Sequence, residues 1–399
     1  MKIALACPAS LPATQFGGIL FLCVDIAREL AKIGHDVTIY TTDLDFANNP
    51  KTFNKNLPRL EKNQGFKINR THVWFSLHLF YVNLGMYNQI KNDRPDIIHT
   101  VGIRSFQSLV AALVSKRCKI PLVISDQGGL TTHPDLTEGG FIKKMIYKLQ
   151  MPMVKFIIKQ SSMISVANDY ERKIFEQFKN KSQIMTIKNG INLEGMHISN
   201  MDFKKKYSIN QNFVLFVGRF HKVKGIDVLL QAWKILKAQT EIQDMKLVIM
   251  GVDFGFESEM LKMINDLGIN ESVIVIKKPP REDVISAYQA CEFLVLPSRW
   301  ELSPLTPLEG FAFKKPVIST KAHGIPYTIV DNENSLLVEP EDYIGLSETI
   351  LKLVKNQNMR IEFGLAGYKM VTDTCNSKQM ASNTLKLYEA VLSRQLIRS

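Results

Sequence analysis

The sequence has few cysteines and no long apolar run. Its five cysteines are widely separated, and none belongs to a C-x-x-C pair. This spacing excludes a dense disulfide framework and a cysteine-rich zinc site, and it is typical of a reducing compartment. No uncharged apolar stretch approaches the ~18 residues that a membrane-spanning helix needs. We therefore predict a cytoplasmic protein.

Acidic residues are outnumbered by basic ones. The chain has 50 Lys and Arg against 38 Asp and Glu, which gives a formal net charge of +12. A positive field attracts nucleic acid, anionic lipid and phosphorylated small molecules, and charge alone does not choose among them. The chain has 399 residues. Because this length exceeds one ordinary hydrophobic core, we predict two domains of about 200 residues each.

Short apolar runs alternate with helical patterns along the chain. The run 2–7 ends at Pro8, as a buried parallel strand does, and a helical pattern follows. The alternation continues to residue 188 and restarts at residue 213, after a polar linker at 196–212. Strands that alternate with helices of ten or more residues predict parallel sheets with helices on both faces. The predicted fold class is α/β, with two tandem Rossmann-like, doubly wound parallel-sheet domains that face a cleft.

The linker sets the predicted domain boundaries. We assign residues 1–200 to the first domain and residues 209–376 to the second. The last helical stretch, 377–399, is predicted to pack back on the first domain. In doubly wound domains ligands bind at the carboxyl ends of the strands, so candidate functional residues are sought there.

The first candidate motif follows the first predicted strand of the second domain. It reads Gly-Arg-Phe-His-Lys-Val-Lys-Gly over residues 218–225. Gly218 permits close approach of the backbone to a ligand, and Arg219 and Lys224 supply fixed positive charge for a diphosphate. Taken alone, this string is equally typical of a solvated basic turn.

The second candidate motif follows a later strand of the same domain. Ser303 is a good N-cap and Pro304 suits the first helical position, so a helix N-terminus is predicted there. Such a terminus binds anions through its free amides. Glu301 and Glu309 flank it, and a carboxylate can accept hydrogen bonds from two neighbouring sugar hydroxyls. Two spaced glutamates alone are more typical of solvated positions.

Together the two motifs resemble those of the retaining glycosyltransferases of family 4, which have the GT-B architecture. The motif G-R-x-x-x-x-K-G is followed about eighty residues later by P-S-x-x-E-x₇-E. The resemblance runs nearly end to end. It includes the pair Gly17–Gly18, the turn at 189–192 and the segments 315–319 and 324–326.

The resemblance implies a metal-independent hexosyltransferase that uses a UDP- or GDP-sugar and needs no cofactor. Arg219 and Lys224 would hold the donor diphosphate and stabilise the leaving group. Glu301 would contact the transferred sugar, and Glu309 would bind the ribose. The remaining donor contacts that the resemblance implies are Gly18, Gly218, Ile276, Ser303, Leu305 and Thr306. The donor phosphate would accept the proton of the incoming hydroxyl, so no protein nucleophile is required.

The acceptor is the less defined substrate. The resemblance implies a saccharide or a lipid-linked precursor of a surface glycan. His99 ends the predicted strand 96–99 and would point to the cleft, although a hydrogen-bonded core histidine is the alternative. Gln127 stands where the family frequently has an acceptor-side histidine, and Pro304 stands where it usually has glycine.

A basic helical stretch at 141–160 allows two interpretations. It carries five lysines and no acidic residue. Core packing of its apolar side, with solvated lysines, is the favoured interpretation. The other is peripheral contact with an anionic membrane, which would place the enzyme at the inner membrane face beside a lipid-linked acceptor.

Other function classes are disfavoured by missing features. A sugar phosphorylase of the same architecture would need a pyridoxal-phosphate lysine, for which no convincing counterpart exists. A non-catalytic nucleotide- or nucleic-acid-binding protein would interleave basic and aromatic residues on one face. A NAD-dependent oxidoreductase would show G-x-G-x-x-G after a first strand. Asp43 and Asp45 spell D-x-D, but a polar turn is expected there, so we predict no metal site. We also predict no nucleic-acid partner, because the basic residues are dispersed along the chain.

Overall fold

The computed structural model describes residues 1–45, 53–77, 80–128, 130, 141–197 and 199–396. Its internal contacts divide the chain into two compact units. Unit 1 comprises Met1–Gly190 and Ser377–Ser399, and unit 2 comprises Ile191–Asn376. The chain therefore leaves unit 1 once and returns to it at its end.

Unit 1 contains ten described strands. They are β1 Lys2–Ala6, β2 Asp36–Thr42, β3 Leu60–Asn63, β4 Phe66–Thr71, β5 Phe75–Leu77, β6 Phe80–Val82, β7 Ile97–Val101, β8 Leu122–Ser125, β9 Met163–Val166 and β10 Ile184–Thr186. Eight of them form one sheet in the order β10-β9-β8-β7-β1-β2-β4-β3. The central strands are apolar and buried on both faces, as parallel strands covered by helices must be.

The helices of unit 1 cover this sheet. They are α1 Gly18–Lys32, α2 Met86–Asp93, α3 Phe106–Cys118, α4 Phe141–Gln160, α5 Asp169–Phe175 and, after unit 2, α13 Ser377–Leu396. Ser105 caps α3 by accepting a hydrogen bond from the Ser108 amide. Helix α13 packs against α1, and α2 and α4 pack against α3.

The sequence patterns miss the part of unit 1 between residues 60 and 93. Strand β3 pairs with β4 in the antiparallel direction and lies at the sheet edge. Strands β5 and β6 form a separate two-stranded hairpin. Half of the side chains of β3 are exposed, so it lacks the apolar run by which the central strands are predicted.

Unit 2 contains a six-stranded sheet that is parallel throughout. Its strands are β11 Phe213–Val217, β12 Lys246–Gly251, β13 Val273–Lys277, β14 Phe293–Leu296, β15 Val317–Thr320 and β16 Ser335–Val338. Their order is β13-β12-β11-β14-β15-β16. The strand order reverses at β11 and β14, which are neighbours, and crevices for ligands form beyond such a point in α/β sheets.

The helices of unit 2 connect these strands and pack on the sheet. They are α6 Phe203–Lys206, α7 Ile226–Leu236, α8 Glu257–Asp266, α9 Arg281–Ala290, α10 Leu305–Ala312, α11 Tyr343–Lys355 and α12 Gln357–Asp373. Helix α6 lies within the predicted linker, where no helix was expected. The core includes Trp233, whose indole N–H donates to Ser272 Oγ at 3.1 Å.

Both units are α/β with Rossmann-like parallel sheets, which confirms the predicted α/β class and its two parallel-sheet domains. The antiparallel edge strand β3 is an addition to it. None of the helices within the described ranges is long and apolar enough to cross a bilayer.

Candidate active site

The two candidate motifs follow neighbouring strands of unit 2. Strands β11 and β14 pair in parallel, so their carboxyl ends lie at the same edge of the sheet. Gly225, which closes the first motif, has φ +67°, and a Cβ built on it would lie 1.9 Å from the Pro297 carbonyl oxygen. No other residue fits there, because both the backbone conformation and the space require glycine. The two loops are therefore pressed together backbone to backbone.

Lys224 and Glu301 form an ion pair across these loops. Lys224 ends a short 3₁₀ turn, and its Nζ donates to Glu301 Oε1, which also accepts from Ser298 Oγ at 3.2 Å. Both side chains are largely buried. An ammonium has three donors, so Lys224 can hold Glu301 and still donate to a phosphate. The structure brings together two of the three predicted catalytic residues, which are 77 positions apart in sequence.

The loop that carries Glu301 is held in place by backbone contacts with Gly324. The Gly324 amide donates to the Glu301 carbonyl at 3.0 Å. A Cβ on Gly324 would lie 1.7 Å from the Leu302 carbonyl oxygen, so only glycine permits this contact. The Glu301 backbone therefore has little freedom, and its carboxylate is directed by a rigid loop.

Arg299 braces the two loops, a role that the sequence patterns do not predict. Its guanidinium donates to Asp227 through two bonds, at 2.7 and 2.9 Å, and to the Lys222 carbonyl at 2.5 Å. Its backbone N–H donates to the Val223 carbonyl at 2.8 Å. Burial opposes the charge of Arg299, but its bonds to Asp227 and Glu341 raise its pKa above the ordinary value. Such bidentate geometry is specific to arginine.

Glu309 lies on α10 and is gripped by two residues of α9. Its Oε1 accepts from Arg281 Nη2 and its Oε2 from Tyr288 Oη, both at 2.7 Å. Tyr288 is fully buried, and burial together with the charge of Glu309 raises its pKa well above the usual range. Tyr288 therefore stays a hydrogen-bond donor at physiological pH. Neither Arg281 nor Tyr288 was predicted, because they reach Glu309 from a different helix.

The start of α10 differs from the prediction. The helix begins at Leu305, and Pro304 is the capping residue, with φ −68° and ψ 135°. The prediction of Ser303 as N-cap and Pro304 as first helical residue is wrong. Proline φ suits both positions, but the extended ψ of Pro304 keeps it outside the helix. The Ser303 hydroxyl instead accepts from Thr328 Oγ1 at 3.4 Å.

The corrected start of α10 leaves two amides in its first turn for a ligand. Leu305 and Thr306 are the first two helical residues, and first-turn amides have no partner within their own helix. Pro307 follows them and has no N–H. The predicted phosphate contacts at Leu305 and Thr306 therefore remain predictions with suitable geometry.

The other predicted donor contacts of unit 2 lie at strand ends. Arg219 is exposed, and its guanidinium lies 5.0 Å from the centre of the Phe254 ring. The Gly218 amide donates to the Met250 carbonyl at 3.0 Å, which continues the pairing of β11 with β12. Ile276 is buried near the end of β13, opposite Met250. These positions are compatible with a donor site, and their roles stay predictions.

The acceptor-side candidate His99 lies differently from the prediction. It is the third residue of β7, which runs on to Val101, so the expectation that it ends the strand is wrong. Its Nδ1 bonds with Tyr388 Oη at 2.6 Å and its Nε2 with Ser125 Oγ at 2.8 Å. Burial lowers the pKa of His99 to about 3. The structure thus favours the alternative, a neutral core histidine.

Gln127 and Gly18 lie at loop and helix positions of unit 1. Gln127 has φ +56°, and its side-chain amide exchanges two 3.2 Å hydrogen bonds with that of Asn189, in the turn that carries part of the family resemblance. Gly18 is the exposed first residue of α1. The predicted roles of both residues in binding stay predictions.

A pair of buried acids lies beside Gln127 and has no signal in the sequence patterns. Asp126 Oδ2 accepts from the Leu130 amide, and Glu171 Oε2 from the Ala167 amide, both at 2.6 Å. Burial, reinforced by the charge of Asp126, raises the pKa of Glu171 to about 8. Burial therefore favours the protonated form of Glu171 over its charged form.

The D-x-D string is part of the fold of unit 1. Asp43 is buried, accepts from the Val73 amide at 3.1 Å and bonds with His72 Nδ1 at 2.5 Å. Asp45 accepts from Asn54 Nδ2 at 3.0 Å. In the part of the chain that the structure describes, no three His, Cys, Asp or Glu side chains gather as metal ligands do.

Two Rossmann-like parallel-sheet units in one chain are the architecture of the GT-B glycosyltransferases, and the two candidate motifs lie at the carboxyl ends of β11 and β14. Two family models match the chain. The model of glycosyl transferases group 1 matches residues 199–370, and that of glycosyltransferase family 4 matches residues 16–194. The chain belongs to glycosyltransferase family 4, as the motifs indicate, and it is a glycosyltransferase.

Individual relatives agree with this assignment. The chain is 29% identical to the capsular polysaccharide biosynthesis glycosyltransferase CapM of Staphylococcus aureus, over 71% of this chain and 73% of CapM. It is 23% identical to N-acetyl-alpha-D-glucosaminyl L-malate synthase of Bacillus anthracis, over 98% and 97% of the two chains. The structure of HepE from Anabaena in complex with UDP has a TM-score of 0.75 at 17% identity, over 98% and 100%.

Proposed function

We propose that the chain transfers a hexosyl group from a UDP- or GDP-sugar to a saccharide or lipid-linked acceptor in surface-glycan synthesis, with retention of configuration and without a metal ion. HepE was crystallised with UDP, which favours UDP as the nucleotide. The similarity to CapM, a capsular polysaccharide enzyme, supports the glycan pathway. The similarity to N-acetyl-alpha-D-glucosaminyl L-malate synthase makes small organic acids a second class of acceptor to test.

The observation that carries the proposal is the pairing of Lys224 with Glu301 at the ends of β11 and β14. In the proposed donor complex, Lys224 faces the diphosphate while Glu301 accepts hydrogen bonds from hydroxyls of the transferred sugar. Glu309 accepts from the ribose hydroxyls, for which its carboxylate is aligned by Arg281 and Tyr288. Arg219 and Lys224 supply the positive charge that a divalent cation supplies in other transferases.

The proposed reaction takes place on one face of the sugar. The bond between the anomeric carbon and the diphosphate oxygen breaks, and the acceptor oxygen bonds to the same face of that carbon. The departing phosphate oxygen takes the acceptor proton, so the nucleoside diphosphate leaves with the negative charge balanced. Lys224 stabilises the charge that develops on the leaving group, and a fixed donor of this kind contributes about 10²–10³ in kcat.

A nucleotide panel and two variants test this site. We expect one of UDP, GDP and ADP to raise the thermal midpoint, as ligand linkage requires. Glu309→Ala should weaken binding of that nucleotide, whereas Lys224→Ala should lower kcat for donor turnover by about 100-fold with a smaller effect on binding. The exposed residues Glu348 and Lys234 provide matched alanine controls in unit 2. Parent-like binding and turnover in both site variants would refute the assignment.

Stereochemistry and metal dependence are tested separately. With an α-linked donor, proton NMR of the freshly formed product should show the α-anomer, and turnover should persist in excess EDTA. A β-anomer contradicts retention, and loss of activity in EDTA that Mg²⁺ restores contradicts metal independence. Neither result would change the family assignment.

A further inference from the structure

The β5–β6 hairpin of unit 1 exposes large apolar side chains. Trp74 is 74% exposed, Phe75 60% and Leu84 63%, and Leu77 is also exposed. Phe75 and Leu77 alternate along β5 and therefore point to the same side of the hairpin. Several large exposed apolar side chains within one short segment indicate a surface that binds a partner.

Helix α4 presents a second exposed surface of mixed chemistry. Its inner side is buried through Val154, Ile157 and Ile158, which agrees with core packing. Its outer side carries exposed lysines at 144, 148, 155 and 159, and between them lie Met145 and Leu149, the latter 72% exposed. Core packing accounts for the inner side only. It does not explain a leucine among solvated lysines.

The hairpin and α4 flank the same end of α3. Phe80 of β6 packs edge-to-face on Phe106, the first residue of α3, with ring centres 5.9 Å apart. Two residues earlier, the Arg104 guanidinium lies 5.1 Å from the centre of the Tyr147 ring of α4 and donates to Gln150 Oε1 at 3.3 Å. The hairpin and the first half of α4 therefore both lie beside the N-terminal end of α3.

We propose that this surface, which we call the basic–aromatic surface, docks unit 1 on an anionic lipid bilayer. It comprises Trp74, Phe75, Leu77 and Leu84 of the hairpin region and Lys144, Met145, Lys148 and Leu149 of α4. Lysines are attracted to anionic headgroups, and tryptophan, phenylalanine and leucine partition into the interface between headgroups and acyl chains. This combination distinguishes a bilayer from a protein partner, which needs no lysine stripe. The docking is peripheral, and it does not depend on the identity of the sugar donor.

Intrinsic fluorescence reports the docking directly. The chain has three tryptophans, and Trp233 and Trp300 are buried while Trp74 is exposed. Vesicles of phosphatidylcholine with 30% phosphatidylglycerol should shift the emission of the full chain to shorter wavelength, and phosphatidylcholine vesicles should not. Added salt should weaken the binding because it screens the lysines. Trp74→Ala should abolish the shift.

Charge-reversal pairs separate this surface from the overall positive charge. K144E/K148E should lower the partition coefficient onto anionic vesicles at least tenfold. K378E/K386E changes the net charge equally, on exposed positions of α13, and should retain most of the binding. Thermal midpoints and donor turnover in solution should match the parent in both pairs, which separates this proposal from the proposed function.

Three results would overturn the docking proposal. The first is absence of parent binding to anionic vesicles at low salt. The second is equal loss of binding in the two charge-reversal pairs, which would show attraction by net charge alone. The third is vesicle binding that K144E/K148E leaves intact while the pair abolishes self-association or nucleic-acid binding, which would assign the surface to those partners.

Discussion

Glu309 illustrates how one side chain is prepared for a ligand by neighbours from another helix. Its two carboxylate oxygens are each held at 2.7 Å, one by the partly exposed Arg281 and one by the buried Tyr288. The tyrosine fixes the rotamer from inside the protein. The arginine faces solvent, where a ligand hydroxyl can compete for the carboxylate. Tyr288 is therefore a positioning residue for the proposed ribose contact.

Removal of the Tyr288 hydroxyl tests this role. Tyr288→Phe keeps the ring and its packing, but it removes one hydrogen bond to a charged group, about 1.5 kcal/mol. We expect the donor KM to rise about tenfold with little change in kcat. Tyr207→Phe is the matched control, since Tyr207 also donates to a carboxylate of unit 2, that of Asp283. An equal rise in KM for both variants would contradict the positioning role.

Residue roles were predictable only where the signal is local. The motif spacing identified Lys224, Glu301 and Glu309, and the structure pairs the first two. The motif spacing could not identify Arg281, Tyr288 or Arg299, because their partners lie 21 to 77 positions away in sequence. The hydrogen bond that favours a core role for His99 was not predictable either, since its partner Tyr388 is 289 positions away.

At the scale of elements, the site depends on two loops that meet without side chains between them. Gly225→Ala would place a methyl group 1.9 Å from the Pro297 carbonyl oxygen at φ +67°. Gly268 has a similar φ of +63°, but nothing lies within 4 Å of a Cβ built there. A comparison of alanine variants at the two glycines therefore distinguishes the effect of backbone strain from the effect of the close contact between the loops.

This contrast gives a quantitative prediction. Gly268→Ala should cost more than about 1 kcal/mol in the free energy of unfolding, from backbone strain alone. Gly225→Ala should cost clearly more and should also lower transferase activity, because the loop bearing Lys224 must move away from Pro297. Urea denaturation and donor turnover of the two variants measure both effects. Equal stability and activity in the two variants would contradict the close approach.

Elements with a strong apolar pattern were predictable from the sequence, and short edge elements were not. Strand β11 begins at residue 213, where the alternation was predicted to restart. Strand β3 was missed because its stability comes from pairing at the sheet edge and not from burial. The start of α10 was misplaced by one residue because proline φ does not distinguish the cap from the first turn.

At the scale of the whole molecule, the buried acid Glu171 couples stability to pH. Its pKa is raised from 4.5 to about 8 in the folded chain. A raised carboxyl pKa adds stability that is fully present below pH 4.5 and is lost as pH rises through about 8. The contribution of Glu171 to the stability of the folded chain is therefore larger on the acidic side of neutrality than above pH 8.

Glu171→Gln tests this coupling, since glutamine is neutral at every pH and its carbonyl can still accept from the Ala167 amide. The free energy of unfolding of the parent should fall between pH 6.5 and pH 8, above the range in which the lowered pKa of His99 acts with the opposite sign. That of the variant should fall less. Urea denaturation followed by circular dichroism at several pH values measures the two slopes. Glu348→Gln, at an exposed site, should follow the parent. A variant slope equal to that of the parent would refute protonation of Glu171.

Synthesis of unit 1 begins before that of unit 2 but is completed after it, because α13 belongs to unit 1 and follows unit 2 in sequence. Tyr388 fills the interior of unit 1 and bonds with His99. The sheet of unit 1 is synthesised first, but its interior cannot close until α13 has been synthesised after unit 2. Unit 2 is contiguous in sequence and has all its residues earlier. A nascent chain truncated after residue 376 would carry a finished second unit attached to an open first one.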